Sequence, residues 1–212
     1  MVIDSEMPIT RHQVSAKKAE AIRSAVRCVT TMASENELVR LAGPDDADIF
    51  YALLNDPAVY APIYTLPHPL TPQSIRAFIV RHMQEQTKGE GLLFLNFDAS
   101  GQLGGYTDVC IWPHWAVGEL GGAIRADRQG KGRGTEGAHL SFDWMFKTLG
   151  LDLICETASL QNHRTARMLD NLGFERKGQV ISHRDDGTTR LSLVWEVTKE
   201  EWNLRHGANL MP

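Results

Sequence analysis

Apolar residues recur at helical spacing in five stretches of this chain and at strand spacing in several others. SAKKAEAIRSAVRCV (15–29) places Ala19, Ile22, Ala25 and Val26 on one stripe behind Ser15, a suitable N-cap. PDDADIFYALLNDPAV (44–59) opens with Pro44 at a first-turn position and with Asp45, Asp46 and Asp48 near the positive helix end. PLTPQSIRAFIVRHMQEQ (69–86) aligns Ile75, Phe78, Ile79 and Met83 on one face. EGAHLSFDWMFKTLG (136–150) aligns Ala138, Phe142, Met145 and Leu149 and closes on Gly150. HRTARMLDNLG (163–173) is a short helix ending at Gly173.

Between these helices the pattern predicts strands at 37–43, 92–98, 103–112, 115–125 and 151–160. Two more strands close the chain around an Asp186–Gly187 turn. Helices come first, then an antiparallel meander, then strand, loop, helix and strand. That order predicts one mixed α/β (α+β) domain over 37–198, with a helical extension at 1–36 and a tail at 199–212. The extension reads either as an accessory helix packed on the core or as a docking element for a second copy in a homodimer.

The 212 residues carry a formal net charge of -4, which disfavours a general nucleic-acid binder. No apolar run approaches a membrane span, and the first residues lack a basic-then-apolar leader pattern, so the expected location is cytoplasmic. Three cysteines stand far apart with no CxxC pair, and eight histidines never fall at HxH or HxxxH spacing; no metal is expected.

The stretch RADRQGKGRGTEGAHLSFDW (125–144) concentrates glycine and basic residues where a helix is about to begin. Glycine there costs conformational entropy, so a close approach of bare backbone to a partner is the expected return. A P-loop is excluded, because Gly130-Lys131 is followed by Gly132 rather than Ser or Thr. Gly132, Gly134 and Gly137 fit GxGxxG, and Glu156 follows Gly137 by 19 residues, as in a dinucleotide fingerprint. Yet ADRQGK separates the strand from the first glycine, and only 56 residues remain after Glu156. The pattern Gln129-Gly130-Lys131-Gly132-Arg133-Gly134 fits Q/R-x-x-G-x-G/A, in which successive N–H groups at a helix N-terminus wrap a pyrophosphate, with Lys131 and Arg133 adding charge. A turn that only lets strand and helix pack is the structural alternative.

That loop resembles the acetyl-CoA loop of the GNAT N-acetyltransferase superfamily. Asn162-His-Arg-Thr165-Ala-Arg-Met-Leu169-Asp-Asn-Leu172-Gly173-Phe174 resembles the second family motif, N-x-x-S-x-x-x-L-x-x-x-G-F. LVRLAGPDDADIFYALLNDPAVYAPI is similar to the opening of the branch containing bacterial ribosomal-protein N-terminal acetyltransferases. The resemblance covers about residues 37–198 and implies a central, twisted, mostly antiparallel sheet flanked by helices. It further implies direct acetyl transfer from acetyl-CoA to a primary amine, a protein N-terminus or a small molecule, without a covalent enzyme intermediate. Residues 129–134 would hold the pyrophosphate, Asn162 the pantetheine arm, and a strand-end N–H near Ala123 and Ile124 the oxyanion.

An attacking amine must lose a proton, since its pKa is about 8 at a protein N-terminus and about 10.4 on a lysine-like chain. Glu119 and Glu156 lie in apolar strands that would raise a carboxyl pKa and suit it to base catalysis; each also reads as a salt-bridged strand residue. Thr165 stands where relatives carry a serine that protonates the leaving thiolate, while Leu169 replaces the tyrosine of other branches. Thr165 also reads as a helix residue bonding back to a carbonyl, and Asn162 as the N-cap of the 163–172 helix. Trp112, Trp115 and His68 read as an aromatic wall of the acceptor cleft or as ordinary loop packing. Two other classes remain: a non-catalytic acyl-CoA-binding sensor, marked by exposed Glu119 and Glu156, and an NAD-type dinucleotide binder.

Overall fold

A computed structural model describes residues 2–3, 7–32, 37–130, 132–184 and 186–207. Among the described residues nine strands form one sheet: β1 (Val2–Ile3), β2 (Thr31–Met32), β3 (Leu38–Leu41), β4 (Gly91–Phe97), β5 (Leu103–Trp112), β6 (Val117–Ile124), β7 (Leu153–Ser159), β8 (Glu175–His183) and β9 (Thr189–Thr198). Their spatial order is β1-β8-β9-β7-β6-β5-β4-β3-β2, antiparallel except for the β1–β8 and β6–β7 pairs. The helices are α1 (Ala16–Cys28), α2 (Ala47–Leu54), α3 (Pro57–Tyr60), α4 (Pro72–Lys88), α5 (Arg133–Thr148), α6 (His163–Leu172) and α7 (Lys199–His206).

The predicted helix over 44–59 is divided. A 3₁₀ turn at Pro44–Asp46 leads into α2, and Asp56 caps the separate α3, where Pro57 takes the first position. In α4 the predicted buried face shifts: Met83 is 42% exposed and His82 is buried in its place beside Phe78 and Ile79. The imidazole is held there by polar partners that hydropathy cannot reveal.

Two cores flank the sheet. Phe50, Leu54, Ile75 and Ile79 of α2 and α4 pack on Leu93, Leu95 and Tyr106 on one face. On the other face Phe142, Met145, Leu169 and Trp202 of α5, α6 and α7 join Ile22 and Val26 of α1 against Phe94, Val109 and Ile154. Residues 199–206 thus form a helix whose Trp202 is 1% exposed. Trp112 and Trp115 pack with Met7 against Val117, Leu153 and Cys155, beneath the N-terminal segment, which is the loop-packing alternative for WPHW. Ile9 and Thr10 N–H groups donate to Glu196 Oε1, fastening that segment to β9.

Candidate active site

The sheet opens at one place. β6 and β7 pair only at Val117–Leu153 and Gly118–Ile154; beyond them β6 runs on to Ile124 and β7 to Ser159 with no pairing between them. β5 stays with β6 up to Ile124, and β9 stays with β7 up to Ser159, so each edge of the gap is backed by a rigid ladder.

Backbone alternation fixes what faces this gap. Leu120 N–H donates across it to Glu156 Oε1 at 2.8 Å, whereas Arg125 N–H donates away from it to Gly104 on β5. Even-numbered β6 residues therefore turn N–H and C=O toward the gap. Gly122 and Ile124 N–H groups face it, and Ala123 N–H belongs to the β5 ladder. Of the two strand-end positions expected near an oxyanion, the gap-facing amide is that of Ile124, with Gly122 as its unanticipated companion.

The two sequence-nominated carboxylates stand at the divergence on opposite faces of the sheet. Glu119 is cross-strand from Cys110, close to Asp108 on the α2–α4 side, and accepts the Thr157 hydroxyl at 2.7 Å. Burial is the main cause of its raised pKa; the Thr157 hydroxyl and the Arg190 charge oppose the rise and Asp108 adds to it. Glu156 is 6% exposed on the α5–α6 side, aligned with Ile154 and Ala158. Burial drives its pKa well above the carboxylate range, the Glu119 charge adds to that, and only the Leu120 N–H acts against it. Two buried acids this close do not ionise together readily. Glu119, with a hydroxyl and a guanidinium to stabilise its anion, is the more acidic of the two, and Glu156 holds its proton more firmly.

Asp108 links this pair to His82. The His82 Nε2 lies 3.0 Å from Asp108 Oδ1 and Nδ1 lies 2.9 Å from the Phe78 carbonyl oxygen. An acceptor at each ring nitrogen favours the doubly protonated imidazolium. Burial would lower the His82 pKa, but the Asp108 hydrogen bond and charge, the Phe78 carbonyl and Glu85 together raise it.

The mouth of the gap is the glycine loop. Gln129 is internally committed: its N–H donates to Ala126, its Nε2 to the Ile124 carbonyl at 3.0 Å, and its Oε1 accepts from Arg164 Nη1 at 2.9 Å. It braces the end of β6 to α6. The open amides begin one residue later. Gly130, Gly132, Arg133 and Gly134 N–H groups have no acceptor among the described residues, and Gly132 caps α5 at φ +78° while its carbonyl accepts from Thr135 and Glu136. A Cβ on Gly130 or Gly132 would meet nothing within 4 Å, so the backbone borders open space. Lys131 lies outside the described residues. Bare amides, an open surface and the positive end of α5 fit a diphosphate. Arg164, whose guanidinium lies 3.8 Å from where a Gly134 Cβ would be, is a basic group at this mouth that the glycine pattern did not flag.

On α6, Asn162 is the N-cap, its Oδ1 accepting Thr165 N–H at 3.1 Å. Thr165 is half-buried on the first turn, and Leu169 is fully buried in the core. His68 stacks on Tyr60 with Nδ1 2.7 Å from its hydroxyl, in an exposed loop. Cys155 is buried, with its thiol pKa pushed upward by burial, so it packs rather than reacts. Among the described residues no three His, Cys, Asp or Glu side chains gather as a metal site, and no helix is long and apolar enough to cross a membrane.

The sheet is thus parted between two parallel strands, with a glycine loop and a helix N-terminus at the opening. The acetyltransferase (GNAT) domain family matches residues 37–175, and the chain belongs to that family of N-acetyltransferases. Solved structures agree in fold. The ribosomal-protein-S5-alanine acetyltransferase from Vibrio fischeri superposes with a TM-score of 0.67 at 18% identity, covering 82% of this chain and 99% of that one. A spermidine N-acetyltransferase from Vibrio cholerae, in complex with CoA and spermine, gives 0.66 at 16%, covering 80% and 99%. A GNAT-family acetyltransferase from Bacillus anthracis gives 0.65 at 19%, with the same coverage. A search of curated protein sequences finds no match.

Proposed function

We propose that this protein moves the acetyl group of acetyl-CoA to a primary amine by direct attack. The observation that carries the reading is the stretch of β6 beyond Gly118 left unpaired with β7, followed across one short turn by the open amides of Gly130, Gly132, Arg133 and Gly134. The diphosphate is held by Gly130–Gly134 and the α5 N-terminus, with charge from Lys131, Arg133 and Arg164. The pantetheine arm lies along the gap, against the amides of Gly122 and Ile124 and the amide side chain of Asn162.

Glu119 takes a proton from the acceptor ammonium. The freed lone pair attacks the thioester carbonyl, a gap-facing β6 amide stabilises the oxygen as it becomes negative, and the C–N bond forms as the C–S bond breaks. The electron pair leaves on sulfur, the acylated nitrogen sheds its second proton to water, and Thr165 passes a proton to the thiolate from solvent. Glu156, keeping its own proton, props the two strands apart through Leu120. A sensor without turnover is disfavoured by the burial of Glu156 and the bonding of Glu119 to Thr157, since a passive binder gains nothing from one buried acid beside a second, half-buried one.

Thermal-shift measurements with acetyl-CoA, CoA and NAD, followed by thiol release against a panel of amines, test the reading. Stabilisation by both CoA species and thiol release that depends on an amine support it. Stabilisation by NAD alone, or by neither CoA species, overturns it.

A further inference from the structure

On the Glu119 side of the gap, the loop 61–70 is stitched to the β8–β9 hairpin by two arginines and one tyrosine. Arg184 lies over the Tyr64 ring at 4.2 Å from its centroid and Arg190 over the same ring at 4.4 Å. Each guanidinium is anchored through Nε: Arg184 donates to the Tyr64 carbonyl at 3.1 Å, and Arg190 donates to Ser192 Oγ at 3.2 Å. Ser192 is fully buried and is fixed in turn by Ser182 at 2.7 Å. Further contacts to the Ile63 and Pro62 carbonyls reach 3.5 Å, the outer limit of a hydrogen bond. Each guanidinium is therefore oriented by the protein while at least one terminal nitrogen has no acceptor among the described residues.

Among the described acids, Asp186 and Glu119 interact with Arg184 and Arg190 only at longer range than a contact ion pair. Among the described residues neither has a carboxylate within ion-pair distance, in contrast to the guanidinium groups of the Arg40–Asp46, Arg128–Glu37 and Arg176–Asp170 pairs. The described acids that interact with them are also hydrogen-bonded elsewhere: Asp186 accepts from the N–H and hydroxyl of Thr188, and Glu119 accepts from Thr157. Two half-buried like charges sharing one ring cost free energy, and packing alone does not require them. Register places Arg190 on the same sheet face as Glu119, because Ser159 pairs with Ser192 and Thr157 with Val194, and the two side chains interact electrostatically.

We infer that Arg184, Tyr64 and Arg190 form a clamp for an anionic group of the acetyl acceptor. The acceptor is then an amine that also carries a carboxylate or phosphate, with its ammonium end at Glu119 and its anionic end between the guanidinium groups. A polycation such as a polyamine would meet Arg184 and Arg190 where it needs an acid. The clamp rests on the acyl-transfer reading of the Glu119 side, and an amino acid or an acidic peptide N-terminus would each supply the chemistry.

The test uses the full chain with acetyl-CoA and matched acceptors: ω-amino acids from glycine to 5-aminopentanoate, each against its carboxamide, the peptide amides Asp-Ala-Gly and Asn-Ala-Gly, and spermidine. The clamp predicts that at least one carboxylate member exceeds its neutral partner in kcat/KM by about ten-fold or more, mostly through KM. The preference collapses toward one in Arg190→Met and Arg184→Met and returns in part in Arg190→Lys. The chain-length series and the peptide pair distinguish a small acceptor from a protein N-terminus. Equal use of acids and amides, or preference for spermidine, overturns the clamp while leaving acetyl transfer intact. A readout independent of turnover is calorimetric binding of N-acetylglycine against N-acetylglycinamide. Tighter binding of the acid that is lost in Arg190→Met supports the clamp; equal binding overturns it even where no amine is acetylated.

Discussion

Leu120 gives its backbone N–H to the Glu156 carboxyl group at 2.8 Å, a strand edge bonded to a side chain where a neighbouring strand would otherwise be. That bond marks the point at which β6 and β7 part. It lets a carboxyl group stay buried, and it leaves the Glu119 side free for the acceptor.

Replacing Glu119 with Gln is expected to lower kcat by about 100-fold, within the range set for loss of a general base. The wild-type acid limb is expected to lie above the ordinary carboxylate range, with activity falling as pH drops through the raised pKa of Glu119. Asp108→Asn removes a like charge and moves the limb to lower pH. Steady-state pH profiles of the three proteins check this; an unshifted limb in both variants would remove Glu119 from the role.

Glu156 makes stability depend on pH in a defined direction. Its folded pKa lies well above the unfolded value, so the folded state holds the extra proton and stability declines as pH rises from the unfolded carboxyl pKa toward the folded one. Glu156→Gln keeps an oxygen for Leu120 and should melt higher than wild type at pH 8, with a smaller gain at pH 5. Glu156→Ala leaves the Leu120 N–H unpaired at a cost of about 1–3 kcal/mol. Melting curves of both variants across pH decide the matter.

The His82–Asp108 pair adds a second, separable step. The raised His82 pKa means that its stabilisation is complete below the unfolded histidine pKa and is lost as pH rises through the folded value. Asp108→Asn should erase that step and cost about 2 kcal/mol or more, because a buried imidazolium loses its partner. Denaturant titrations from pH 6 to 9 measure it.

Trp202 ties the last helix to the core, touching Phe142, Phe146 and Phe174. Trp202→Ala should cost about 3–5 kcal/mol, as for other large core truncations. A loss below about 1 kcal/mol would mean that α7 is peripheral.

Much of this could be read from residue order. Strand and helix periodicity located the elements around the gap, because their apolar faces are regular, and the glycine loop and the Asn162–Phe174 motif are local enough to show in sequence. What stayed hidden depends on register. That Glu119 and Glu156 face opposite sides follows from their pairing with Cys110 and Trp195, set by strands distant in sequence. Gln129 looked like a ligand of the diphosphate but spends its side chain on Ile124 and Arg164, a competition that spacing cannot show. His82, Arg184 and Arg190 lie in no motif; their significance comes from partners on other elements. Trp202 sat in a segment too short and polar to announce a buried face.

The central claim is that the amides from Gly130 to Gly134 hold the diphosphate of acetyl-CoA. Gly134 has ordinary backbone geometry and only loose neighbours at 3.8 and 3.9 Å, so Gly134→Asp should fold and melt close to wild type while placing negative charge in the cradle. Equilibrium titration of acetyl-CoA against both proteins is the direct measurement. Our account requires saturable binding to the wild type and a loss of about 100-fold or more in the variant; equal affinity in two well-folded proteins would contradict it.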